Sequence, residues 1–321
     1  EGDEVIHAVP QSYNIDDFMG ITEPVGMNGK QIYSNFKLII GKKNSSQQKT
    51  NVLQRARLNL KGMFLQPLAS AKAVLDDEER EVGVALLDIG GGTTDLIIIQ
   101  DNVVRHAAVI PFGGNSITED LKQGCGVSTK VAEQLKTLHG SCMSSIAPDK
   151  NVRINGIGGR EDKQISLRNI AEIIESRVEE ILEAAMYEIE RSGYGNLINS
   201  GIVITGGTSQ LTNLQQFARL VTGMDIRLAV PNRMYAEIEV PINKPALSTA
   251  VGLVVMGFEK MEKEGVKYTS TTPINYKEEL KEKGTEKPAK ETSESKENKA
   301  QEPKKKKGFG FGNFFNQFKD D

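Results

Sequence analysis

Apolar and polar positions along this chain follow two rhythms, and the switch between them marks out its elements. Residues 1–47 alternate at a period near two. Val5–Val9, Gln31–Tyr33 and Phe36–Gly41 are predicted strands, with turns at Met19-Gly20 and Met27-Asn28-Gly29, so this stretch reads as a small α+β piece. Residues 50–75 change to helical spacing. Val52, Leu53, Ala56, Leu60 and Met63 share one face, and a shorter helix follows Pro67. Three predicted strands then run in hairpin succession, Val82–Leu87, Leu96–Ile99 and Val103–Ile110, with Asp101-Asn102 as the second turn.

Beyond Gly113-Gly114 a helix is predicted from about Ile117, with Ser116 and Glu119 at capping-box spacing, and Ser128 opens another through Leu138. Two short strands flank Gly156-Ile157-Gly158-Gly159. From Arg168 to about Ser192 the stripe of Ile170, Ile173, Ile174, Val178, Ile181, Leu182, Ala185 and Ile189 marks the clearest helix. A buried-type strand, Gly201–Thr205, leads to Gly206-Gly207-Thr208 and a helix carrying Leu211, Leu214, Phe217 and Leu220. A final globular helix is predicted from about Ser248 to Met261. From about 262 the rhythm stops: Lys and Glu interleave down to Pro303, too little apolar surface to fold.

Composition narrows the classes. The 321 residues suffice for two domains, and 38% hydrophobic with 26% charged residues suits a globular chain. A net charge of -3 gives no basic field for nucleic acid, so no nucleic-acid partner is expected. Two cysteines, Cys125 and Cys142, fit a reducing compartment and offer no metal-site spacing. No run is long enough to span a membrane. The chain opens on Glu1, already close to a strand, and is expected to lack sequence at its N-terminus.

The candidate chemistry sits in Asp88-Ile89-Gly90-Gly91-Gly92-Thr93-Thr94-Asp95. Three glycines between two buried strands form a tip whose backbone N–H groups can close around an anion. Thr93 and Thr94 add hydroxyls, and Asp88 and Asp95 add carboxylates able to hold Mg²⁺ through water. A glycine-rich tip is also an ordinary hairpin turn. Gly113-Gly114-Asn115 and Gly206-Gly207-Thr208 each open a helix after a strand, where N–H groups favour phosphate or ribose oxygens.

This order of motifs resembles the actin-like ATPase superfamily, which includes actin, MreB and the DnaK-type chaperones. The resemblance implies an α/β, ribonuclease H-like fold that binds ATP and Mg²⁺ between two domains. Gln66-Pro67-Leu68-Ala69-Ser70-Ala71 resembles the segment whose first residue orients the attacking water, which gives Gln66 that catalytic role by resemblance. Ala132-Glu133-Gln134-Leu135-Lys136 resembles the helix that contacts the adenosine, through Glu133 and Lys136. By the same resemblance Asp88, Gly90, Gly91, Gly92, Thr93 and Thr94 form the second phosphate loop, with Asp88 toward the metal. Gly113, Gly114, Asn115, Gly206, Gly207 and Thr208 line the nucleotide. No Asp-x-Gly-x-x first phosphate loop precedes residue 88, so the fold is expected to be incomplete at the N-terminus and to hold half of a nucleotide clamp.

Within the superfamily the chain is most similar to the FtsA family of bacterial cell-division proteins. His7–Tyr13 with Pro24-Val25-Gly26-Met27 resembles that family's inserted domain, and Gln66–Leu75, Glu81–Asp88, Gly113–Thr118, Gly156–Arg160 and Val203–Gly207 look like it as well. The resemblance implies a partial inserted (1C-like) domain at 1–47, the remainder of the first actin-like domain at 48–80, and the second at 81–118 and 196–261. A 2B-type subdomain at 119–195, a disordered linker at 262–303 and a membrane-targeting amphipathic helix at 304–321 complete the division.

The tip also argues for itself. Lys304, Lys305, Lys306 and Lys307 form a basic run, and Phe311, Phe314, Phe315 and Phe318 follow at i, i+3, i+4 and i+7. Four inserted phenylalanines are worth at most about 6–12 kcal/mol, and each lysine near anionic lipid about 1 kcal/mol, which makes a reversible anchor. Docking into a protein groove is the alternative.

The resemblance implies a scaffold that assembles like actin and anchors the tubulin-like FtsZ ring to the cytoplasmic face of the membrane at the division site, among other division proteins. It is at most a slow, switch-like ATPase. The subdomain would receive the FtsZ C-terminal peptide, with Arg160 and Arg168 as contacts for its acidic residues. Two rivals share the fold. A metabolic kinase calls for a catalytic Asp and a sugar pocket, and gives no reason for a Phe-rich tip. A DnaK-type chaperone calls for a β-rich substrate domain after residue 258, where the composition reads as linker.

Overall fold

A computed structural model of the chain describes residues 2–156, 158, 161–231 and 242–265. The linker and tip readings beyond 265, and Arg160, lie outside the described residues.

Strands β1 (Asp3–Ile15), β2 (Phe18–Ile21) and β3 (Ile32–Lys42) form an antiparallel sheet in the order β2-β1-β3. The two strands expected at 31–41 are one. Ser34 and Asn35, poor strand formers, are held in the ladder opposite Tyr13 and Ser12, where β1 carries a register shift. Met19-Gly20 is not a turn but part of β2; the chain reverses at Asp16, whose φ of 49° lies in the left-handed region.

Helix α1 (Lys43–Arg55) starts earlier and ends sooner than its apolar spacing predicts, which leaves Leu60 and Met63 outside any helix. Arg57 adopts φ 56°, and the Arg57 and Leu58 N–H groups donate back to the Gln54 and Leu53 carbonyls, the close of a Schellman-type end. Helix α2 (Gln66–Val74) begins with Pro67 in its first turn. Helix α3 (Asp77–Val82) was not foreseen. It takes Val82 from the predicted strand and is opened by a capping box between Asp76 and Glu79.

The main sheet follows: β4 (Val84–Ile89), β5 (Thr94–Gln100) and β6 (Val103–Ile110) are joined by hairpins. Asp101 and Asn102 at φ 52° and 60° make the second turn as expected. Helices α4 (Gly114–Cys125) and α5 (Thr129–His139) come next, then a hairpin of β7 (Asn151–Ile154) and β8 (Lys163–Ser166), then α6 (Leu167–Ser192). Strand β9 (Ile202–Thr205), helix α7 (Leu214–Thr222), β10 (Ile226–Leu228) and α8 (Ser248–Lys263) complete the described elements.

Sheet order is β10-β9-β4-β5-β6. The β10, β9 and β4 neighbours are parallel, and the hairpin strands are antiparallel. Every residue of β4 is buried, because helices cover both faces. Ala85, Leu87 and Ile89 pack with Leu96 and Ile98 toward α4, α5, α6 and α7; Val84 and Leu86 pack with Ile97 and Val203 toward α2.

Two helix starts differ from expectation. Helix α4 begins at Gly114 and not near Ile117, so Ser116 lies inside it and makes no capping box. The region after Thr208 splits into a 3₁₀ turn, Gly207–Gln210, and α7, because Asn213 takes φ 63° between them.

On the other face α8 crosses α2 very closely. A Cβ on Gly252 would stand 1.8 Å from the Ala69 carbonyl oxygen. Gly252→Ala should therefore destabilise the fold by about 1–3 kcal/mol, read as a lower urea midpoint at unchanged slope.

Candidate functional site

The site is built where three glycine-bearing corners meet at the C-terminal end of β4. Asp88 and Asp95 are register partners across the β4–β5 hairpin, and Gly90 to Thr93 form its tip, closed by the Gly90 N–H donating to the Thr93 carbonyl at 2.9 Å. The tip's carbonyls face the start of α4. The Gly114 N–H donates to the Gly90 oxygen at 2.9 Å and the Asn115 N–H to the Gly91 oxygen at 2.7 Å. Sequence reasoning gave those helix N–H groups to a ligand; the structure spends them on the hairpin. The consequence is that the Gly91, Gly92 and Thr93 N–H groups make no hydrogen bond among the described residues. Such a run of free donors is an anion nest.

Glycine is required here by close approach. A Cβ on Gly113 would lie 2.7 Å from the Gly90 oxygen, and one on Gly114 2.5 Å from the Thr208 hydroxyl. Gly206 takes φ 91°, and its Cβ would meet the Ile89 oxygen at 2.4 Å. These fits bring the third corner onto the tip, where the Thr208 hydroxyl donates to the Gly90 oxygen at 2.9 Å.

Lys136 binds the neighbouring wall together. Its buried ammonium donates to the Gly114 carbonyl at 2.9 Å and the Thr118 hydroxyl at 2.8 Å, and pairs with Glu133 at 2.7 Å. Thr118 donates to the Glu133 carboxylate at 2.5 Å. Burial disfavours charge on Glu133, but the hydrogen bonds from Lys136 and Thr118 and the ammonium's charge outweigh it and hold the carboxyl below its usual range. Gly91, Gly114, Asn115, Glu133, Lys136, Gly207 and Thr208 thus face one cavity of about 390 Å³, which Gly140, Leu211 and Thr212 help to close. That volume falls in the range of small-molecule sites.

Asp88 and Asp95 lie at the root of the hairpin, both buried. One Asp88 carboxylate oxygen accepts from the Ser70 hydroxyl at 2.5 Å and the Thr249 hydroxyl at 3.1 Å. Asp95 keeps one buried oxygen without a partner among the described residues. Burial and the facing Asp88 charge push its carboxyl up to about 6, against the opposing pull of a Thr93 hydrogen bond. An orphaned carboxylate oxygen beside a second carboxylate suits a divalent cation. No group of three or more His, Cys, Asp or Glu gathers among the described residues, so the protein would supply two carboxylates, in keeping with Mg²⁺ held largely by water and phosphate.

Other expected residues stand apart. Thr94 is buried and its hydroxyl donates to the Phe112 carbonyl at 2.9 Å. Gln66 is exposed in the first turn of α2 and does not line the cavity. Arg168 opens α6, exposed and paired with Glu172 at 3.5 Å. Sequence reasoning passed over Ser70, Thr249 and Thr118. Thr118 sits one turn after Gly114, a spacing that places it over the same wall; Ser70 and Thr249 carried no local signal.

Comparison with known proteins gives the family and the fold. A family model described as "Cell division protein FtsA" matches residues 85–252, and one described as "SHS2 domain inserted in FTSA" matches residues 1–40. The chain belongs to the FtsA family. It is 34% identical to FtsA of Pseudomonas aeruginosa over 276 residues, covering 84% of this chain and 66% of that protein. It is 35% identical to FtsA of Neisseria meningitidis over 254 residues, covering 78% and 61%. The chain thus spans a little over three-fifths of these relatives' length. Among solved structures, MreB5 of Spiroplasma citri bound to ADP superposes with a TM-score of 0.57 at 20% identity, over 71% of this chain and 69% of that one. The PilM–PilN type IV pilus biogenesis complex gives 0.57 at 15% identity, over 79% and 66%. The fold is therefore actin-like, within a family of division proteins.

The Asp88–Asp95 pair makes a pH prediction. The folded-state value for Asp95, about 6, lies above the ordinary aspartate value of 3.8. The folded state therefore binds the extra proton between those values, and stability falls as pH rises through that window. Asp95→Asn should be more stable than the parent at pH 7.5 by about 1–3 kcal/mol. The gap should close by about pH 4, measured by thermal melts without divalent cations.

Proposed function

We propose that this chain is the nucleotide-responsive part of a division scaffold. It binds ATP with Mg²⁺ at the β4–β5 hairpin, self-assembles like actin, and holds the FtsZ ring to the cytoplasmic face of the membrane through residues 304–321. The observation that carries the nucleotide reading is the run of N–H groups at Gly91, Gly92 and Thr93 that make no hydrogen bond among the described residues, in a tip whose Gly91 lines a cavity walled by Lys136 and Thr208. The family relationship supports the division role, and a Spiroplasma citri MreB5 of the same fold has been solved with AMPPNP as well as with ADP.

In this reading the tip nest takes a phosphate group, and Asp88 and Asp95 hold the hydrated metal. Lys136 sets the position of Glu133 and closes the cavity floor at Gly114, which leaves Glu133 to meet the nucleoside end. Gln66 enters by orienting water, if hydrolysis occurs. Arg168, at the exposed start of α6, and Arg160 receive the acidic FtsZ C-terminal peptide, and other division proteins complete the assembly.

Gly207 offers a clean test, because a Cβ there would meet nothing nearer than the Ala246 Cβ at 3.8 Å and the residue lines the cavity. In the full encoded protein, Gly207→Asp should weaken binding of a fluorescent ATP analogue at least tenfold with the melting temperature unchanged. Equal affinity in parent and variant would show that nucleotide does not enter this cavity. For the anchor, anionic phosphatidylglycerol vesicles should sediment the whole chain and leave the form without residues 304–321 in solution. Capture of an FtsZ C-terminal peptide should be lost in Arg160→Ala/Arg168→Ala, and an undiminished capture would move the contact elsewhere.

A further inference from the structure

The C-terminal half of α6 and the outer edge of α7 enclose a groove of about 890 Å³ that shares no residue with the nucleotide cavity. Met186, Phe217, Leu220 and Met224 make its floor, and Leu220 and Tyr187 are 70% and 64% exposed. Large apolar side chains left open in one contiguous patch mark an interaction surface.

The rim supplies the second observation. Glu179, Glu183, Tyr187 and Glu190 fall at spacings of four, four and three residues, one edge of α6 over about three turns. Glu179 and Glu183 are like charges at i and i+4, an arrangement that weakens a helix. Nothing among the described residues neutralises this edge. The three arginines of α6 are committed elsewhere: Arg168 to Glu172, Arg177 to Asp120 and Glu180, and Arg191 to Glu188. Arg219, on α7, pairs with Asp225. An apolar floor beside a row of uncompensated carboxylates has one chemical complement.

We propose that the α6–α7 groove docks a cationic amphipathic helix from a partner protein, with its apolar face on Leu220 and Met186 and its Lys or Arg residues against Glu179, Glu183 and Glu190. The rim runs about 17 Å at 1.5 Å per residue, so the docked segment is about eleven to twelve residues long. Leu220 and Tyr187 act as anchors, and the carboxylates set orientation and raise the association rate. Because the groove shares no lining residue with the cavity at the β4–β5 hairpin, this inference stands independently of the function proposed above.

The test uses a fluorescein-labelled 18-residue peptide with leucines on one helix face and lysines on the other, followed by anisotropy against the whole chain. Two controls are a scramble of the same composition and a Leu/Glu peptide of the same pattern. The Leu/Lys peptide should bind at least tenfold more tightly than its scramble. Binding should fall at least tenfold in Glu179→Lys/Glu183→Lys, which should in turn gain affinity for the Leu/Glu peptide. Equal binding of scramble and patterned peptide, or less than a twofold loss in the double variant, would overturn the proposal. A benzophenone on the peptide's apolar face gives a check on the unaltered chain. Crosslinks within residues 179–190 and 214–224 support the assignment, and crosslinks confined to other regions overturn it.

Discussion

The grip of α4's first N–H groups on the carbonyls of Gly90 and Gly91 is the constraint from which the rest of the site follows. A helix start carries unsatisfied donors and a partial positive charge. Here both are satisfied by a hairpin, not by a side-chain cap. With the tip's carbonyls held, its Gly91, Gly92 and Thr93 N–H groups are left without a hydrogen bond among the described residues, and Gly91 lines the cavity. The same grip leaves no room for a side chain at Gly113, while Thr208 on the Gly90 carbonyl and Lys136 on the Gly114 carbonyl leave none at Gly114. A local steric rule thereby becomes a ligand-facing arrangement.

Charge is distributed around that corner in an ordered way. The cationic Lys136 is buried but fully engaged, so it stiffens the wall and holds Glu133 ionised. At the hairpin's root the opposite holds. Two carboxylates face each other across the ladder; Asp88 is satisfied by hydroxyls from α2 and α8, while Asp95 is left partly unsatisfied and resists ionisation. Strain of this kind is stable only because β4 and β5 are covered on both faces, and it is relieved by any cation that reaches the pair. The hairpin tip and the carboxylate pair are thus linked through the same two strands. The crossing of α2 and α8 over Gly252 fixes the hydroxyls that hold Asp88, so packing on one face of the sheet sets chemistry at its end.

Much of this was legible residue by residue. The apolar stripe of α6, the buried runs of β4 and β5, the strand β6 and the Asp101-Asn102 turn all appear in the structure close to where their local pattern puts them, because each is specified by local spacing. The glycine corners were readable as tight turns between elements for the same reason. Elements decided by backbone hydrogen bonds between distant segments were not. The start of α4 moved three residues upstream because hairpin carbonyls cap it, Ser34 and Asn35 joined β3 because β1 pairs with them, and α1 stopped at Arg55 because Arg57 turned left-handed.

By itself the sequence determined the strongly periodic helices and strands, that three glycine corners occur in the order of an actin-like fold, and that the chain is a member of the FtsA family. It could do so because side-chain periodicity and glycine's freedom are properties of neighbouring residues. Only the tertiary structure decided which donors remain free, that Thr94 is spent on Phe112 while Thr208 is spent on the tip, and that Ser70, Thr118 and Thr249 belong to the site. Those outcomes depend on which polar groups satisfy one another across separations of 15 to 161 residues of chain. That is a competition among all possible partners, and only the assembled fold resolves it.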